Sequence, residues 1–335
     1  CGTPITITLT VSSANPSVDT VSTSRTTNGL FDDRADLSYG ENTALVSCGR
    51  HLANLDSSSR VNSTITSAVQ ISDISFFDDP TDPSDWYSLY GAKFTPISNK
   101  KLTSYNGLSK IGDTAERHTI NGLTVSSASP AGLFSDFSGE ISNVTLVNAN
   151  ISSTSAAAGA LVGRATDSLK LANCRVYLAD SDLSSMKAAS ADKIPSRITG
   201  THAGGLVGVY ENSLSGSEQA NNKLIIENSF AATTISATTA AAGLVGHAAG
   251  AVSVSRSYAD CYLTAPVTGG LVGTTTGSGG LTLSDSYAAG YQTATDSAAG
   301  FVAGHLTSAA RSYSACAYLG AGAVHTTAKS GTITI

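Results

Sequence analysis

The sequence predicts an all-β chain, a right-handed parallel β-helix (β-solenoid) with an N-terminal cap or connector, and three observations predict it. A short unit recurs along the 335 residues. Apolar residues come in brief runs and not at a 3.6-residue period sustained over ten or more positions, which argues against a helical solenoid. Charged residues make up only 13% while Ala, Gly, Ser and Thr dominate, so few segments could form a helix with a solvated charged face. A disordered Ser/Thr-rich stalk would share that polar composition. Here 41% of residues are apolar and only 8 are proline, enough to bury a continuous core.

The unit reads Ala158-Gly159-Ala160-Leu161-Val162-Gly163, then Gly204-Gly205-Leu206-Val207-Gly208. It returns as Ala242-Gly243-Leu244-Val245-Gly246 and Gly269-Gly270-Leu271-Val272-Gly273. An early copy is Ala131-Gly132-Leu133-Phe134, and a drifted one Ala299-Gly300-Phe301-Val302-Ala303-Gly304. Taking Leu133, Leu161, Leu206, Leu244, Leu271 and Phe301 as markers, the steps are 28, 45, 38, 27 and 30 residues. A basic unit with two insertions, near 181–200 and 209–223, fits the range of solenoid repeats. A second element follows each marker: Asn143-Val144-Thr145-Leu146, Asn173-Cys174-Arg175-Val176, Asn228-Ser229-Phe230-Ala231, Arg256-Ser257-Tyr258-Ala259, Asp285-Ser286-Tyr287-Ala288 and Arg311-Ser312-Tyr313-Ser314. Its aromatic, Val or Cys is expected to face inward, so Tyr258, Tyr287 and Tyr313 join the marker leucines as structural repeat residues. Strands this short cannot bury an apolar face alone. Parallel strands from successive repeats, about 4.8 Å apart, would stack Leu on Leu and Val on Val, with glycines at the corners.

Along the chain, residues 1–40 do not fit the repeat and read as an N-terminal strand or cap segment. They include the alternating Ile5–Val11, Asn28-Gly29 and the charged stretch Asp32–Asp36. Residues 41–125 read as irregular opening rungs with long loops, and 126–335 as regular repeats. The tail Gly331–Ile335 is a final strand or a link to a further domain. Cys1-Gly2 resembles the start of a lipoprotein, but it leads almost directly into a strand-like segment where a lipidated cysteine usually opens a flexible tether.

These repeats resemble the GLUG-motif family of large bacterial secreted and cell-surface proteins, which include adhesins and non-catalytic regions of IgA-protease-type proteins. The resemblance continues upstream, where Phe94-Thr95-Pro96-Ile97 precedes His118-Thr119-Ile120-Asn121-Gly122-Leu123. Further upstream, Arg50–Leu55 and Ala68–Ile74 look like the first rungs. The resemblance implies the solenoid fold and a secreted or cell-surface bacterial location. It supplies no chemistry, because the repeat itself carries none.

The densest carboxylate group is the loop holding Asp78, Asp79, Asp82 and Asp85 beside Trp86 and Tyr87, a candidate binding loop. It lacks EF-hand spacing and the calcium-binding nonapeptide, so a solvated turn fixed by Pro80 and Pro83 is the plainer reading. His247 and His305 each follow a motif glycine, with Thr274 between them, and read as surface turn residues two rungs apart. Glu227, Arg256, Asp285 and Arg311 read as alternating charges up one face, which is how cross-strand pairing arranges them, and not as paired catalytic acids. Cys261 and Cys316, two rungs apart, are too distant for a disulfide and read with Cys174 as small buried hydrophobes; Cys1 and Cys48 retain freedom to bridge.

Net charge is −6, with 19 basic and 25 acidic residues and no basic stripe, which excludes nucleic acid as a partner. Apolar runs are too short for a membrane span. No H-E-x-x-H motif occurs, and no catalytic, metal or cofactor site is expected. The reading is therefore a non-enzymatic adhesin or structural display module. Its expected partners are a host glycan, a matrix protein or neighbouring domains of a longer surface protein. The alternative is a carbohydrate-active or carbohydrate-binding β-helix. An ice-binding solenoid would need a Thr-x-Thr ladder, which Thr274–Thr276 and Thr282 do not continue.

Overall fold

Runs that are too short to bury a face alone pair in parallel, one circuit of the chain upon the next. The computed structural model describes residues 5–11, 21–27, 31–32, 39–56, 65–77, 94–111, 113–179, 197–212, 222–276, 280–301 and 311–320. Nearly all its strands belong to three parallel sheets of nine, thirteen and five strands. The chain visits them in a fixed order. Leu169–Ala172 lies in the nine-stranded sheet, Arg175–Tyr177 and Ile198–Gly204 in the thirteen-stranded sheet, and Val207–Glu211 in the five-stranded sheet. The next circuit repeats the order with Lys223–Glu227, then Phe230–Ala232 and Thr234–Ala242, then Val245–Ala249. The two thirteen-sheet strands of each early circuit later fuse into the single strands Tyr258–Gly269 and Tyr287–Ala299.

Register follows the repeat markers. In the five-stranded sheet Phe134 pairs with Val162, Val162 with Val207, Val207 with Val245 and Val245 with Val272. Each of these residues directly follows a marker leucine. Leu133, Leu161, Leu206, Leu244 and Leu271 are all buried in one core, and each backbone N–H from Leu161 to Leu271 donates to the marker carbonyl of the following circuit. Phe301 accepts the last of these bonds and is only partly buried.

The motif glycines are required by close approach. A methyl on Gly243 would collide with the Gly270 carbonyl and with the Ala259 side chain, and one on Gly246 would lie 2.6 Å from the Gly208 carbonyl oxygen. None of these glycines has positive φ, so space and not conformational freedom selects them.

The second element turns the corner from the nine- to the thirteen-stranded sheet. Its first residue holds positive φ at Asn143, Asn173, Asn228, Arg256, Asp285 and Ala315, which explains the preference for Asn and Asp. The next residue points inward. Ser229, Ser257 and Ser286 are buried there, each hydroxyl donating to the carbonyl two residues back at 2.7–2.8 Å. Each hydroxyl also accepts the N–H of its counterpart one circuit earlier, from Cys174, Ser229 and Ser257 at 3.0–3.2 Å. The third residue then faces outward and the fourth inward.

This corrects the placement of the aromatics. Tyr258 and Tyr287 stand on the outer face, Tyr287 being 44% exposed, while Ala259 and Ala288 fill the core. The buried serine takes the inward place, so the next side chain must point out. The Arg311–Ser314 copy is also displaced. Arg311 pairs with Leu281 and Tyr313 with Leu283, in the nine-stranded sheet, where Tyr313 packs against the core. The counterpart of Asp285-Ser286-Tyr287 is Ala315-Cys316-Ala317. Cys316 therefore shares the column of Cys174 and the serines, whereas Cys261 pairs with Gly290.

Other departures lie near the start. Arg50–Leu55 contains a short helix, Gly49–Ala53, that buries Leu52 and is followed by buried Leu55, where a rung is expected from the sequence. Ile5–Val11 and Val21–Thr27 form an antiparallel hairpin with no strand partner in the larger sheets. Phe31 already lies in the core, and the Asp32 N–H donates to the Leu45 carbonyl at 3.0 Å. Thr119–Asn121 and Thr145–Val147 are neighbours in one sheet, so the pairing runs continuously past residue 125. The described helix is far too short to cross a membrane, and no described helix is long and apolar enough to do so.

Leu244→Ala should cost about 2–5 kcal/mol, because circuits on both sides prevent collapse into the cavity. Gly243→Ala should cost about 1–3 kcal/mol despite adding only a methyl, since the obstacle is a backbone carbonyl. Denaturant melts of both variants check these losses; a neutral Gly243→Ala would mean that the circuits can separate there.

Candidate functional site

The loop carrying Asp78, Asp79, Asp82, Asp85, Trp86 and Tyr87 lies outside the described residues, as do His305, Cys1, the tail after residue 320 and most of both insertions.

Glu227, Arg256, Asp285 and Arg311 do not form one charged column. Glu227 pairs in register with Ser255, while Arg256 and Asp285 sit at the corner one residue further on. Arg256 donates from Nε to the Asn228 side chain at 2.7 Å. Glu227 instead lies 3.9 Å from Lys170, which is equally close to Glu140. These half-exposed contacts are worth at most about 1 kcal/mol each and bring no two carboxylates into a catalytic pair. Another ion pair, Arg164 Nε to Asp136 at 2.7 Å, borders a cleft of about 200 Å³ lined also by Lys100, Phe137 and Asp167. Among the described residues no three His, Cys, Asp or Glu side chains gather into a metal site.

Cys48, Cys174, Cys261 and Cys316 are free thiols. Burial pushes Cys174 and Cys261 up to about 12, so neither supplies a thiolate nucleophile at neutral pH.

His247 is not a turn residue. It lies half-buried in Val245–Ala249, in register with Thr274, and its neighbour is His202, whose ring centroid is 5.0 Å away. His202 sits near the end of Ile198–Gly204, two residues before the Gly204-Gly205 pair, a place that its own repeat offers no second histidine to mark. His247 Nδ1 is 2.7 Å from the Thr274 hydroxyl and Nε2 is 3.3 Å from that of Thr276. A neutral ring, one nitrogen donating and one accepting, satisfies both. Burial and the neighbouring His202 lower His247 to about 4, and burial also lowers His202, against a smaller opposing pull from Glu211.

A stack of aromatic rings stands on the outer face of the thirteen-stranded sheet. Phe230, Tyr258 and Tyr287 stack with centroids 4.7 and 4.8 Å apart and planes within 6°. Four residues along these strands, Tyr262 and Tyr291 form a second column at 6.4 Å. Asp260 stands between the columns, in register with Ala289. Beyond the second column runs a file of hydroxyls, Ser126, Ser152, Thr199, Ser236, Thr264 and Thr293, each in register with the next. The position two residues before it holds Thr124, Asn150, Arg197, the buried Thr234, Tyr262 and Tyr291, so no repeated Thr-x-Thr ladder forms among these described strands. The file adjoins a shallow groove of about 170 Å³ lined by Ser153, Thr154, Thr201 and Thr238. Sequence reading missed this file because the long step through 180–196 hides the register of Ile198–Gly204.

The chain matches no family model and no curated protein, so the resemblance to GLUG-motif proteins rests on the residues quoted for it. Among solved structures it is similar to a "putative immunoglobulin A1 protease" from Bacteroides ovatus. The TM-score is 0.57 and the identity 19%, over 86% of this chain and 78% of that one. At that identity the likeness is one of fold.

Both histidines bind protons more weakly in the folded chain than their ordinary value of about 6.5. The unfolded chain then takes up more protons at these sites, so their contribution to stability is fully present above pH 6.5 and is lost as pH drops toward about 4. Melting temperatures across that range should show the fall, and His247→Gln should flatten it. An unchanged slope would remove the histidine pair as its source.

Proposed function

We propose that this chain is a right-handed β-solenoid module of a secreted or surface-exposed bacterial protein, acting without catalysis as an adhesive or display scaffold. The carrying observation is the fixed order in which successive circuits add parallel strands to the three sheets around a shared apolar interior. Parallel crossovers are overwhelmingly right-handed, which supports the hand. The three segments 1–40, 41–125 and 126–335 are proposed as cap, irregular opening rungs and regular repeats of this one scaffold. Dispersed acids and buried thiols favour a scaffold over an enzyme, and ligands of such a scaffold would meet its outer faces and loops. Its partners are a host glycan or matrix protein, or adjoining domains of a longer surface protein. GLUG-type membership belongs to the same reading, as does kinship with the non-catalytic part of IgA-protease-type proteins.

The fold likeness to the "putative immunoglobulin A1 protease" favours a second reading, in which the chain takes part in proteolysis. One experiment separates the two. Beads coated with the purified chain should adhere to mucin- or matrix-coated surfaces above uncoated controls. The same preparation should leave IgA1 heavy chain intact and release no reducing sugar from polysaccharides. Cleavage of either substrate, lost in Glu227→Gln or in a variant of the 78–87 loop, would replace the scaffold reading with an enzymatic one.

A further inference from the structure

We propose that the outer face of the thirteen-stranded sheet, around Tyr287 and Tyr291, is a binding site for neutral polysaccharide; this rests on the display reading and gives it a ligand class. Within a stack, ring faces cover one another and only edges meet solvent. The stack of Phe230, Tyr258 and Tyr287 ends abruptly, because the next circuit places Ala317 where a fourth ring would stand. One face of Tyr287 is therefore left without a ring over it, and that side chain is 44% exposed. Tyr291, in the second column, is 38% exposed. Apart from Phe77, these are the exposed large apolar side chains among the described residues.

Between the two tyrosines the surface is lowered by Ala289 and Gly290, and Asp260 borders the gap in register with Ala289. The rings stand about 13 Å apart along the strand, four residues at roughly 3.3 Å each. Beyond them Thr264 and Thr293 open the hydroxyl file that leads to the shallow groove at Thr199, Thr201 and Thr238. Flat aromatic surface, one carboxylate and many hydroxyls suit a chain that is apolar on its ring faces and hydroxylated at its edges. Ring faces pack on Tyr287 and Tyr291, Asp260 accepts from sugar hydroxyls, and the threonines exchange hydrogen bonds with the rest. The platform holds no cation between its two tyrosines, whereas Asp260 would repel a carboxylated polymer. An apolar protein surface would find too many unpaired hydroxyls here.

Affinity electrophoresis in native gels cast with mixed-linkage β-glucan, xylan, galactomannan or polygalacturonate tests the site. At least one of the three neutral polymers should retard the full chain, and polygalacturonate should not. Tyr287→Ala combined with Tyr291→Ala should weaken that retardation about tenfold or more, Tyr287→Phe should preserve it, and Asp260→Asn should weaken it less. Should the double variant fail to fold, Ala289→Arg fills the gap from outside the core and should abolish retardation while leaving the melt intact. No retardation by any neutral polymer, or retardation unchanged in the folded variants, overturns the proposal. So does a concentration-dependent dimer in sedimentation that Ala289→Arg dissolves, which would assign the face to self-association. If the gels fail while coated beads still adhere, the display reading stands and only the glycan site falls.

Discussion

Everything in this fold follows from the spacing between successive parallel strands, about 4.8 Å. At that spacing a side chain lies directly over its counterpart one circuit away, so each inward position must suit a copy of itself. The Leu133-to-Leu271 column meets the demand with like on like. Where sheets meet at the corners the backbones come closer still, and Gly205, Gly243 and Gly270 pack on the alanines 231, 259 and 288. The abundance of Gly and Ala is thus a packing requirement, and the same residues in a disordered stalk would bury nothing.

Parallel stacking also solves the problem of buried polar groups. The corner must expose backbone N–H groups to an apolar interior, where each unpaired one would cost roughly 1–3 kcal/mol. Ser229, Ser257 and Ser286 cancel that cost in a chain, each hydroxyl accepting from one circuit and donating within its own. Cys174 and Cys316 extend the column with weaker donors to carbonyl oxygens. A residue that looks like surface decoration in the sequence is in fact a structural hydrogen-bond relay.

The all-β class and parallel pairing were legible because the Gly-Leu-Val-Gly unit is both frequent and inward-facing; its spacing is the register of the five-stranded sheet. The second element was harder to read. Aromatic residues at a repeated position suggest a core, yet stacked rings repeat equally well outside, and only the buried serine beside them reveals the parity. Arg311-Ser312-Tyr313 imitates Asp285-Ser286-Tyr287 in residue type, but Tyr313 fills the place of Leu283, and the true corner at Ala315 lacks the Asn or Asp that would announce it. The helix at Gly49–Ala53 was hidden because Leu52 and Leu55 are apolar in either conformation. His202 and the hydroxyl file could not be aligned from sequence, since the long step between Leu161 and Leu206 contains His202 and separates Ser152 from Thr199.

Inward columns are bound to self-compatibility, and outward ones are not. The contrast is visible along single columns of the outer face. One file passes from Thr119 and Thr145 through Arg175, Phe230, Tyr258 and Tyr287 to Ala317, while the inward neighbours from Arg175 to Tyr287 remain Val176, Ala231, Ala259 and Ala288. Two outward tyrosine columns on adjacent circuits are not needed to hold the strands together, since the backbone ladder and the alanine column beneath already do so. Leaving Tyr287 and Tyr291 partly in water forgoes a fraction of the roughly 1.5–3 kcal/mol that full burial of a large apolar side chain brings. Stacked rings add cross-strand contacts on the outer face, but the small inward residues do not demand them, so the outer columns are free to vary where the inward ones are not.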